Sequence, residues 1–181
     1  MRPWAPSPRL IRSLLPMLSW MTARYIAYHR NRLWPLARTL DDRIQMQLSS
    51  FFPQAALAET RVVQAVLPDP AFYPLVRNLG FQGLLEMSSI GAITLMDVVA
   101  YPQQLDLGTL FHELVHVVQY RVLGLKRFSE LYVKGFLLRG GYARIPLEQQ
   151  AYELGARFDE SPGIAFSVEE EVIRRHEAGT L

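Results

Sequence analysis

The chain contains no cysteine among its 181 residues. Disulfides, cysteine-ligated metal sites and thiol nucleophiles are therefore excluded, and the fold is indifferent to redox compartment. It also lacks any apolar run as long as a membrane span. Residues 10–28 are rich in Leu, Ile, Met and Trp, but Arg12, Pro16 and Arg24 interrupt them. No clear signal-peptide cleavage site follows, so the reading leans to the cytoplasm without fixing a compartment. Acid is missing from the start: seven arginines and no Asp or Glu precede Asp41. Over residues 41–144 nine acids meet nine bases, and over 145–181 eight acids face three bases. Residues 1–34 read as a basic N-terminal arm, and 35–181 as one domain long enough to bury a core.

Three roles stay open for the arm: contact with a membrane surface, packing on the domain, or a removable pro-segment. The opposite signs of the two ends suggest that it docks on the acidic C-terminal part. No dense basic patch marks the rest, so no nucleic-acid partner is expected.

Histidine is scarce, four in all, and two of the four sit in Phe111-His112-Glu113-Leu114-Val115-His116-Val117-Val118-Gln119. On a helix, residues four apart share a face. His112 and His116 then present two imidazoles side by side, at a spacing that suits one Zn²⁺. Glu113 is turned off that face but stays near enough to take a proton from a metal-bound water. The surrounding run is apolar almost all round, which predicts a buried helix.

Around this helix the pattern predicts an α+β domain. Pro16 breaks a helical period over 10–28. Pro35 opens a helix reaching about Phe52. Strands are expected over 60–67 and 91–101, with a third short one over 83–87. A short helix over 72–79 ends at Gly80. The histidine helix starts near Leu105, has Asp106 in its first turn and ends at Gly124. Further helices follow over 127–138 and from Pro146 to about Asp159. Ser161-Pro162-Gly163 is a turn, and Ser167-Val168-Glu169-Glu170 caps a last polar helix.

A catalytic zinc takes three protein ligands. His29 lies in the arm and His176 in the polar last helix, so carboxylates remain: Glu130, Glu148, Glu153, Asp159 and Glu160. Glu148, Ala151, Tyr152, Gly155 and Phe158 share one helical face that is otherwise small or aromatic. That face suits close packing on the His112 helix and ranks Glu148 first. Glu153 points elsewhere, towards an i,i+4 partner in Arg157.

His112-Glu113-x-x-His116 followed by Glu148-x-x-Ala151 resembles the gluzincin metallopeptidases, whose third ligand is a Glu on a later helix. It is most similar to the small single-domain minigluzincins and to a peptidase-like domain of unknown function found near contractile injection systems. The resemblance covers roughly residues 90–160. It implies a zincin-like fold with a small mixed sheet, whose edge strand lies beside the active-site helix, and a mostly helical C-terminal part. It implies a zinc-activated water that attacks a peptide bond, with Glu113 as general base. A strand from Ile93 to Val99 would pair with an extended peptide or protein substrate. Tyr142, Tyr152 and His176 are candidates to stabilise the oxyanion or to orient the ligands. Many members carry an Asp where this chain has Tyr152, so either the tyrosine hydroxyl or another group orients the zinc histidine, or that histidine is less well oriented. Two other readings remain: a zinc-stabilised scaffold without turnover, and a latent zymogen covered by its arm.

Overall fold

The computed structural model describes residues 8–81, 83–161 and 163–181. The organising element is α5 (Leu107–Arg139). Its first half is buried on nearly every side from Leu110 to Tyr120, as the apolar run requires. Asp106 caps it, with its carboxylate accepting from the backbone N–H of Thr109 at 2.8 Å. Gly124 interrupts the helix with a left-handed φ of 73°, a conformation that costs glycine little. The second half then leaves at a new angle, and its Phe128 stacks on Tyr120 of the first half, ring centroids 3.7 Å apart.

The sheet has order β1-β2-β4-β3, built from β1 (Arg38–Thr39), β2 (Arg61–Gln64), β3 (Ile93–Leu95) and β4 (Val98–Tyr101). β2 and β4 run parallel, and the edge strands β1 and β3 are antiparallel to their neighbours. The expected α+β class with a small mixed sheet is therefore what the chain forms. The C-terminal part is helical, with α6 (Pro146–Glu160) and α7 (Val168–Glu177). The Ser167 hydroxyl accepts from the Glu170 N–H, as the capping box predicts. The expected turn at 161–163 includes Pro162, which lies outside the described residues.

Several local expectations are corrected. The single strand expected from Ile93 to Val99 is a hairpin: Leu95 pairs with Val98, and Met96 turns the chain with a φ of 63°. Of the two hairpin strands only β3 lies at an edge, while β4 is internal. An unbroken β-rich run hid the turn, because its signal is Asp97 alone, and the Asp97 carboxylate is held by Arg30 from far away in sequence. Pro16 does not break α1 (Pro8–Leu33). It is exposed, and buried residues on both sides of it, Ile11, Leu18, Ile26 and Leu33, hold the helix onto the domain. The helix expected from Pro35 is only α2 (Asp42–Leu48), because Trp34–Leu36 is a 3₁₀ turn and Arg38–Thr39 pairs with β2. α3 (Gln54–Glu59) follows Pro53. The short helix before Gly80 is α4 (Tyr73–Asn78). Among the described residues of 83–87 there is no strand.

Two packings place the two histidines against α6. On one side Phe111 stacks on Phe158, ring centroids 4.4 Å apart, within an aromatic group completed by Phe51, Phe52 and Phe166. Truncating a wholly buried Phe costs about 3–5 kcal/mol. On the other side Gly135 lies against the start of α6. A Cβ there would come within 2.9 Å of Pro146 and 3.2 Å of Ile145, so only glycine permits this approach. Glu148 stands in the first turn of α6, just beyond the contact.

Candidate metal centre

His112, His116 and Glu148 converge although Glu148 is far along the chain. Their near atoms form a triangle. Nε2 of His116 is 3.2 Å from Nε2 of His112, and each lies 3.3 Å from Oε2 of Glu148. A tetrahedral ion with bonds of about 2.0–2.1 Å needs ligand atoms about 3.3–3.4 Å apart. The residues present thus fit a metal ion, as two histidines and one carboxylate ligand should. The three form a group that can hold a metal ion, with His116 and Glu148 buried and His112 half-buried.

Burial opposes charge on both Glu148 and His116, but their mutual attraction overrides it. Glu148 is held far below the ordinary carboxylate range by His116, with hydrogen bonds from His112, His116 and Tyr142 adding to the effect. His116 is raised to about 9 by Glu148 against its own burial.

Glu148 and His116 are each fixed from behind. The Glu148 carboxylate accepts from the Tyr132 hydroxyl at 3.0 Å on Oε1 and from the Tyr142 hydroxyl at 2.7 Å on Oε2. Burial, then the nearby carboxylate, pushes both phenols far above their usual range, so they stay protonated donors. Nδ1 of His116 meets Oε1 of Gln119 at 2.8 Å. Gln119 donates its own amide to Leu147 O and to Gln150 Oε1, and Gln150 donates to Glu171 O.

Glu113 sits beside the triangle. It accepts from the Thr94 hydroxyl of β3 at 2.6 Å. Burial pushes its carboxyl above the ordinary value, partly countered by His116 and His112. A base with a raised pKa is better matched to neutral pH. Glu113, His116 and Glu148 line a cavity of about 140 Å³ whose other walls are mostly aliphatic and aromatic side chains. Leu18, Thr22, Tyr25 and Ile26 of α1 form one wall, and Ile93 and Thr94 of β3 lie in the same lining.

Of the other residues expected at the site, Tyr142 reaches it through Glu148. Tyr152 lays its ring 4.5 Å from the His112 ring and remains 55% exposed. His176 is exposed in the last turn of α7. No hydrogen bond, ion pair or ring contact joins it to the triangle among the described residues. Glu153 is exposed and pairs with Arg175, while Arg157 pairs with Glu171, so the expected Glu153–Arg157 pair is replaced by contacts to α7. Tyr132 and Thr94 were not legible as site residues. Tyr132 lies 16 residues from Glu148 and Thr94 lies 19 from Glu113, and no local spacing rule links either pair.

Compared with known proteins, the chain matches no family model, no curated protein and no solved structure.

Proposed function

We propose that this chain is a zinc-dependent metallopeptidase with His112, His116 and Glu148 as ligands and Glu113 as general base. The observation that carries this reading is the ligand triangle with a buried, hydrogen-bonded carboxylate beside it. Zn²⁺ suits two imidazoles and one carboxylate, and when bound it supplies a polarised, acidified water. Glu113 accepts the proton from the attacking water and passes it to the leaving amine. Thr94 keeps that carboxylate aimed into the cavity. Tyr152, on an exposed ring against His112, is the candidate donor to a substrate carbonyl, which would replace its hydrogen bond with Tyr142. β3 offers the sheet edge on which an extended peptide can pair.

A latent form is favoured by one further observation: α1 walls the same cavity as β3, His116 and Glu113. The end of α1 is fastened to the hairpin by a two-pronged ion pair, Arg30 Nε to Asp97 Oδ1 at 2.8 Å and Nη2 to Oδ2 at 2.7 Å. In this reading a peptide reaches β3 only after α1 shifts.

Metal analysis tests the site. Protein purified without chelators carries close to one zinc per chain. Glu148→Ala loses it, whereas Glu153→Ala, altering an exposed surface pair, keeps it. Retention by Glu148→Ala contradicts the assignment.

A further inference from the structure

The inner face of α1 is spent on the core, and its outer face is not. Across 26 residues the helix has no acidic side chain. Arg9, Arg12, Ser13, Met17, Trp20, Arg24 and Tyr28 are all exposed and recur at helical spacing along one side. Trp20 is 63% exposed, Tyr28 62% and Met17 41%. Large aromatics so placed on a folded domain are costly to leave in water. The Arg24 guanidinium lies over the Trp20 ring, 5.6 Å from its centroid. The opposite side carries Ile11, Leu18, Ile26 and Leu33, all buried, so this orientation is set by the core and cannot rotate.

We propose that the outer face of α1 is a docking surface for an anionic lipid bilayer. Arg24 stands between Trp20 and Tyr28 on this face, and Arg9 and Arg12 precede Met17, so charge and apolar groups alternate along it rather than forming one continuous apolar stripe for a partner helix. Guanidinium groups with no carboxylate among them complement anionic headgroups. Trp, Tyr and Met between them suit the boundary where headgroups meet acyl chains. A nucleic acid would satisfy the arginines but would leave Met17 and Tyr28 without apolar cover. Arg30 is not part of the surface, because Asp97 and the Trp34 ring hold it. The helix lies flat and does not insert, since no helix among the described residues is long and apolar enough to cross a membrane. This surface is independent of the metal chemistry and stands whether or not the chain cuts peptides.

The test uses the full chain with vesicles of phosphatidylcholine alone and of phosphatidylcholine mixed with phosphatidylglycerol, read by co-sedimentation and by tryptophan emission. Binding to the mixed vesicles only is expected, with a blue-shifted emission, and with loss as salt rises. Arg12→Ser and Arg24→Ser each weaken binding about fivefold, from the attraction of one guanidinium to an anionic surface. Trp20→Ser weakens binding and removes the blue shift. All three positions are exposed, and unchanged melting temperatures exclude misfolding. Absence of binding to mixed vesicles overturns the proposal, as does equal binding to both vesicle types. Variants that bind as wild type does also overturn it. So does binding to a single-stranded oligonucleotide, insensitive to Trp20→Ser, without binding to vesicles.

Discussion

The side-chain amide of Gln119 presents its oxygen to Nδ1 of His116 at 2.8 Å and has no freedom to present anything else. Its nitrogen is committed to Leu147 O and Gln150 Oε1, both at 3.0 Å, and Gln150 is in turn oriented by Glu171 O. Backbone carbonyls accept only, so the chain of bonds fixes which atom of each amide is nitrogen. Nδ1 of His116 is therefore the N–H, and the lone pair of neutral His116 lies on Nε2, facing His112 and Glu148. Gln119, on the same helix as His116, thus fixes the orientation and tautomer of the neutral imidazole.

Gln119→Leu keeps the volume and removes the acceptor. Zinc affinity should fall about 10–100-fold, the usual cost of losing a group that orients a ligand. Competition against a chromophoric chelator measures it. A folded Gln119→Leu variant with wild-type affinity refutes the orienting role.

The metal-free protein should have a bounded stability window. His116 is raised from 6.5 to about 9, so its ion pair stabilises fully below pH 6.5 and is lost as pH rises through about 9. Glu148 is lowered from 4.5, so its share is present above pH 4.5 and is lost as pH falls below it. Chelated protein is expected to melt highest between about pH 4.5 and 6.5. An imidazolium cannot ligate, so metal affinity should climb with pH up to about 9. A melting temperature of chelated protein that is flat from neutral pH to pH 9 counts against the His116–Glu148 pairing.

The helix of the candidate metal site was legible because its signal is local. The His112–His116 spacing, the apolar surroundings and the single free carboxylate on the packing face of α6 all lie within one or two turns. Tyr142 was among the candidates, but Thr94 and Tyr132 were not legible, because they act across gaps closed by tertiary contacts. Sequence pattern likewise could not show that Gly135 permits the approach of α6. Nor could it show that the arm docks on α5 and the Asp97 turn rather than on the acidic C-terminal part. Among the described residues, the ion pair that α1 makes is Arg30 to Asp97. The missed hairpin has the same origin: a β-rich run reads as one strand unless the distant partner of Asp97 is known.

Arg30→Gln breaks the clamp between α1 and the hairpin. The pair is half-buried and two-pronged, so the loss should be about 1–3 kcal/mol of stability. If α1 covers the cleft, the variant cleaves unstructured peptides several-fold faster than wild type, while its zinc content is unchanged. Equal or slower cleavage by a folded, zinc-loaded variant rejects the covering role.

Glu113 is the residue that separates a peptidase from a zinc-stabilised scaffold. A site that only stabilises the fold has no use for a buried carboxylate beside the ligands, whereas a peptidase needs it as a base. The decisive measurement is cleavage of a broad peptide library by wild type and by Glu113→Gln, each with zinc content and melting temperature recorded. Glu113→Gln should keep its zinc and its fold and lose cleavage by about 10² to 10⁴-fold, because an amide cannot take the proton of the attacking water. Zinc-loaded wild type that cleaves nothing, or a Glu113→Gln variant that cleaves as fast as wild type, contradicts the assignment.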